Sequence, residues 1–209
     1  MNRKLIVVLA LLFPVVCLAG SVQEAQRAVI ARKNAGGGAP PAVFDFGGSR
    51  THGAATDTWG ANTAIIRPGQ AAVGGSTTVN KMCVYSSGAS TIKGFLYNVT
   101  TSDTDPQGDE TLVDYTNSAV LNSGAGWNTL TFPGNITIVN GNHYFEGIVL
   151  STGSATITIY YTDSAVNSKY YSASGMYTNE PDPMPGPTGW ATYSRQGDYS
   201  FFVTDGSCP

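Results

Sequence analysis

The stretch His143-Tyr144-Phe145-Glu146-Gly147-Ile148-Val149-Leu150 is mostly apolar on both faces that a period of two creates. Eight residues of this kind, entered through the turn cluster Asn140-Gly141-Asn142, read as a central strand covered on both sides. Working outward, the period of two recurs. Thr77 to Tyr85 (TTVNKMCVY) is a strand, and so is Ile92 to Val99, with Phe95, Tyr97 and Val99 on one face. Trp127 to Phe132 alternates Trp/Thr/Thr against Asn/Leu/Phe. Ala155 to Tyr161 places Ile157, Ile159 and Tyr161 on one side, and Asp198 to Val203 aligns Tyr199, Phe201 and Val203. Weaker strand patterns lie at 43–46, 58–66, 111–121, 169–177 and 188–194. Ser86-Ser87-Gly88 and Asn122-Ser123-Gly124 separate elements, as turn residues do. Many short strands with no helices between them predict an all-β fold, an antiparallel jelly-roll β-sandwich. No fixed-period repeat points to a propeller or solenoid.

Upstream of this pattern the chain changes character. Residues 1–19 combine Arg3 and Lys4 with an apolar run from Leu5 to Leu18 and small residues at Cys17 and Ala19. This is the layout of a secretory signal peptide. The run is shorter than the roughly 20 residues that span a bilayer, and the alternative is an uncleaved anchor helix. Valine before Cys17 argues against a lipid-modified cysteine. Residues 20–42 form an arm: Ser21 to Lys33 has a weak helical stripe, and Gly36-Gly37-Gly38-Ala39-Pro40-Pro41 is a linker, flexible and then stiff. The β-sandwich domain is expected over 43–209. A leader of this kind predicts a secreted, extracellular protein, free or on a cell surface, with no membrane span once it is removed.

Composition agrees with that compartment. Without Arg3 and Lys4 the chain keeps 9 basic and 14 acidic residues, a net charge of −5. It has no basic stripe, so nucleic acid is not a predicted partner. Thr and Tyr suit half-buried pleated surfaces, and Gly, Asn and Asp suit turns. Beyond the leader, Cys83 and Cys208 are the remaining cysteines. In an oxidising compartment such a pair predicts one disulfide, the alternative being two free thiols. Its loop of 125 residues gives about 4–5 kcal/mol in the chain-entropy model, as an upper figure.

The order of motifs resembles a known class. A strand ending in Val84-Tyr85 is followed by Gly94-Phe95-Leu96-Tyr97, then Gly126-Trp127-Asn128-Thr129. Asn140-Gly141-Asn142-His143-Tyr144-Phe145 and a late Tyr199-Ser200-Phe201-Phe202 follow. Over residues 57–205 this resembles the jelly-roll modules appended to bacterial exoproteins, phage fibre proteins and carbohydrate-active enzymes, including carbohydrate-binding-module-like domains. The resemblance implies a non-catalytic binding or adhesion role.

Three sets of residues are candidate sites. Aromatic rings with polar neighbours suit sugars, whose C–H faces pack on them. Trp190 follows the proline-rich loop 178–189 and is joined in sequence by Tyr193, Tyr177 and Tyr171 as a ligand-binding surface, whereas Trp127 is expected in the core. Asp103, Asp105, Asp109 and Glu110 form an acidic loop with Gly108, a candidate calcium site, with a solvated hairpin loop as the alternative. Catalysis has little support. No G-x-S-x-G or H-E-x-x-H motif occurs, and His143 and Glu146 fall on opposite parity, so they cannot share a face. Asn98-Val99-Thr100 and Asn135-Ile136-Thr137 are sequons whose use depends on the host.

The expectation is therefore a secreted, non-enzymatic β-sandwich that binds a glycan or cell-surface polymer, with calcium as its one candidate cofactor. The alternative is a structural subunit of an extracellular filament or surface layer. It would assemble with copies of itself through the N-terminal arm.

Overall fold

The structure, a computed structural model, describes residues 44–48, 50–67, 70–73, 76–99, 106–153, 155–172, 176–186 and 191–209. Of 163–172 and 191–197 it describes the backbone alone. The expected leader and arm, residues 1–42, lie outside the described residues.

The regular structure of the described chain is almost wholly strand. In order these are β1 (Asp45–Phe46), β2 (Ala55–Trp59), β3 (Ala64–Ile66), β4 (Gln70–Ala71), β5 (Thr77–Ser87), β6 (Thr91–Val99) and β7 (Thr111–Tyr115). Then come β8 (Ala119–Val120), β9 (Gly126–Ile138), β10 (His143–Leu150), β11 (Ile157–Ser172), β12 (Ala191–Tyr199) and β13 (Phe201–Thr204). One helical turn, α1 (Met176–Asn179), lies between β11 and β12. Every pairing is antiparallel.

The strands make two layers of a β-sandwich. In the first, β5 pairs with β9 on one side and β13 on the other, and β1 edges β13. In the second, β10 lies between β6 and β3, and β7 and β8 extend the sheet beyond β6. The long β11 belongs to both. Its first part pairs with β2 and the end of β5, its last part with β3, and the register slips between Thr162 and Asn167. A strand that changes sheets needs such an irregularity. It also joins what would be two sheets into one hydrogen-bonded path.

Alternation places the core. Met82 and Val84 of β5, Leu130 and Phe132 of β9, and Phe201 and Val203 of β13 face Ile92 and Leu96 of β6 and Tyr144, Ile148 and Leu150 of β10. The opposite side of the second layer is covered as well. Phe95, Tyr97, Val99, Tyr115, Phe145 and Val149 form a second cluster under Met176 and Met184. β10 is thus apolar on both faces because each face meets a different core. The segment 176–186 is strapped down over the second cluster. Tyr97 Oη donates to Pro181 O, Lys93 pairs with Glu180, and Leu112 N donates to Asp182 Oδ1 at 3.0 Å. Burial holds the Tyr97 hydroxyl up at about 12 and raises its partner Tyr115 further.

Several boundaries differ from expectation. The pattern read as a strand over 169–177 ends at Ser172 and gives way to α1, whose Met176 is drawn into the outer cluster. The strand expected over Trp127 to Phe132 runs on through Pro133 to Ile138. Its one ladder partner among the described strands is β5, and the register slips between Val79 and Lys81, so proline removes no ladder bond that the pairing requires. Cys83 and Cys208 are joined by a disulfide with Cα atoms 5.5 Å apart. It pins the C-terminal tail onto the outward face of β5.

Candidate functional site

The outward face of the first layer carries a row of rings. The period of two that sends Met82 and Val84 inward turns Tyr85 outward. Register then sets Trp127 of β9 opposite Tyr85. On the other side Tyr85 N donates to Ser200 O, and Ser200 N donates to Tyr160 O, at 2.8 and 2.9 Å. The residue between β12 and β13 therefore stitches Tyr85 of β5 to Tyr160 of β11. The Tyr85 ring meets Trp127 edge to face at 5.4 Å and Tyr160 at 4.9 Å. Trp127 also leans on Phe202 at 5.3 Å.

His52 completes the row. Its ring stacks on Tyr85 at 3.9 Å, 6° from parallel. What holds it is the neighbouring Gly53. A Cβ there would overlap the Tyr161 backbone, and Gly53 N donates to Ser200 Oγ at 3.0 Å. Only glycine allows the chain so close to β11. His52 Nδ1 lies 3.0 Å from Gly53 O, and a carbonyl only accepts, so Nδ1 donates.

The rings are only partly covered. Trp127, Tyr85 and Tyr160 are half-buried and His52 is exposed. Hydroxyls flank them: Ser87, Thr158 and Thr58 face one another across three strands, and exposed Thr129 lies on the other flank. The cations nearby are committed. Arg50 pairs with Asp45 at 2.6 Å and donates to Ser207 O, and Lys81 Nζ donates to Gly206 O. Among the described residues the face is aromatic, rich in hydroxyls and nearly without charge available to a ligand.

The described residues among those singled out in sequence lie elsewhere. Trp190, Asp103 and Asp105 are outside the described residues. Tyr171 stands opposite Thr192, and Tyr193 opposite Tyr170. Directly opposed residues share a face, so positions 171 and 193 lie on opposite faces of the second layer. Tyr177, in α1, packs against the outer cluster and donates to Ser118 Oγ at 2.8 Å. Asp109 is exposed. Glu110 is buried and accepts from Gln107 N and Gly108 N at 2.5 and 2.9 Å, so its carboxylate closes the local turn. Among the described residues no three His, Cys, Asp or Glu side chains gather as a metal site.

Trp127, expected in the core, is instead on the outward face, and the core side of β9 is Asn128, Leu130 and Phe132. The signal was available in the alternation that grouped Trp127 with Thr129 and Thr131. Tyr85, Tyr160 and His52 gave no such signal, because register between distant strands brings them together.

A second polar cluster lies inside the sandwich. Glu146 is 1% exposed and points into the main core, with Arg67 Nε 3.3 Å from its Oε1. Arg67 is itself buried. Its guanidinium donates to Tyr199 O and Phe201 O at 3.3 and 3.1 Å and pairs with Asp198. Burial pushes the Glu146 carboxyl up to about 8 against the opposing pull of Arg67.

No family model matches the chain, and no curated protein or solved structure matches it either.

Proposed function

We propose that this protein is a secreted, non-catalytic β-sandwich of jelly-roll type that binds an uncharged glycan on the outward aromatic face of its first layer. The observation that carries the reading is the row Trp127–Tyr85–Tyr160, half-buried, with His52 stacked on its centre. Each ring has a packed edge that fixes it and an accessible part that a pyranose C–H face can cover. The Ser and Thr hydroxyls beside the rings suit the equatorial hydroxyls of a sugar. Ligand charge follows from the neighbours: Arg50 and Lys81 are already occupied, and a chain of net charge −5 beyond its leader repels polyanions. The motif order described above supports the same class of function.

The test is binding of neutral, uronic-acid and sulfated oligosaccharides by calorimetry. Trp127→Ala and Tyr160→Ala each weaken binding of a neutral oligosaccharide by about tenfold, the share of one stacked ring. Neither shifts the thermal midpoint by more than a few degrees, because both rings lie outside the main core. Affinity stays constant over a tenfold range of ionic strength, as an uncharged ligand requires. Binding that survives both substitutions removes the aromatic face as the site, and binding confined to anionic glycans removes the ligand class.

A further inference from the structure

The buried cluster at Glu146 has a lid. Gly47 lies against the Glu146 carboxyl, where any Cβ would overlap Oε1 and Oε2, and its φ of +97° is a region that favours glycine. A Cβ at Gly48 would meet Phe201 O and the Arg67 guanidinium. Residues 44–48 therefore close over this site with bare backbone, and no side chain of Gly47 or Gly48 contributes to the seal.

We propose that residues 44–48 form a proton-dependent latch. Two carboxyl groups, Glu146 and Asp198, share the one guanidinium of Arg67 beneath it, and the latch stays closed while Glu146 holds a proton. The charge count is geometric. Asp198 is about one-third exposed and already pairs with Arg67, so a second negative charge on fully buried Glu146 has no counter-charge left. The groups acting on the Glu146 carboxyl are Arg67 from the turn after β3, Asp198 from β12 and the Val203 N–H from β13. Asp45 and Arg50, within and just after the latch, pair with each other.

The latch lies at the edge of its layer, and β13 is the one ladder partner of β1 among the described strands. β1 pairs with β13 at two positions, Asp45↔Thr204 and Phe46↔Val203. Phe44 N donates to Asp205 Oδ1, and Phe46 packs edge-on against Tyr144 at 5.6 Å. Opening admits water to Glu146 and restores its ordinary acidity. The closed form binds the proton more tightly, so rising pH favours the open form. The same sign holds for folding. The Glu146 contribution is complete below its usual 4.5 and is lost as pH rises through about 8. Opening would free the edge of β13.

Hydrogen exchange of the full chain tests this, with intrinsic rates corrected against an unfolded peptide. Between about pH 4.5 and about 8, protection of residues 44–48 falls by roughly tenfold per pH unit and then levels off, the signature of one linked proton, while protection in β10 holds. Glu146→Gln, which cannot ionise, abolishes that slope. Should Glu146→Gln fold poorly, Asp198→Asn serves: it frees Arg67 to neutralise Glu146 and flattens the slope as well. Protection of 44–48 that is independent of pH in the unmodified protein overturns the proposal. So does an unchanged slope in the folded variants.

Discussion

Arg67→Ala lowers the unfolding free energy by about 3–5 kcal/mol, the range for removing one partner of a buried ion pair. The substitution takes the cation from the Asp198 pair and from beside Glu146, and removes the guanidinium that donates to Tyr199 O and Phe201 O where β12 gives way to β13. Those carbonyls sit where the chain passes from one layer to the other, so the damage falls on the connection between layers. At about 2–4 °C per kcal/mol for a domain of this size, the thermal midpoint drops by roughly 6–20 °C. The double variant Arg67→Met, Glu146→Leu recovers much of the loss, because two apolar side chains of similar volume need no counter-charge. Denaturant melts of the parent, Arg67→Met, Glu146→Leu and the double variant give the coupling energy directly. A single-variant loss under about 1 kcal/mol would mean that the pair does not hold the layers together.

Replacing Cys83 and Cys208 together with alanine produces the second large effect. The bridge closes 125 residues, and chain entropy assigns such a loop up to about 4.7 kcal/mol. The folded side contributes too. The tail that the bridge anchors supplies Asp205 to Phe44, Gly206 to Lys81 and Ser207 to Arg50. Freed, the tail takes those contacts with it and leaves β1 with its two ladder positions on β13. The expected result is a fall of several kcal/mol in denaturant unfolding, together with early proteolysis near residue 44. A double variant within about 1 kcal/mol of the parent, with an intact N-terminal edge, would show that the tail holds by its hydrogen bonds alone.

Strand positions were legible wherever a side-chain period could be counted. His143–Leu150 is a strand at the bounds its sequence suggests, because apolar residues on both parities demand two covers. The cysteine pairing was legible for a different reason, since the two cysteines beyond the expected leader allow one intramolecular bridge. Trp127 shows where counting stops. Its alternation separated the right residues into two sets, but hydrophobicity alone placed Trp127 in the core. A tryptophan flanked by two threonines on its own face belongs outside, and the weight of one large ring concealed that. The segment 178–189 was legible as unable to form a central strand. Nothing local showed that its neighbour Met176 and its own Met184 would seal the far side of the second layer.

The sequence by itself determined the class of fold and the alternation that divides most strands into two faces, and it pointed to the bridge from Cys83 to Cys208. These depend on residues that are neighbours along the chain or, for the bridge, on the two cysteines that lie beyond the expected leader. The tertiary structure alone decided which face looks outward at Trp127, that His52 stacks on Tyr85, and that Arg67 meets Glu146 from 79 positions away. Each of those depends on register between strands far apart in sequence. Register is set by the summed packing of both layers, and no single stretch of residues carries that sum.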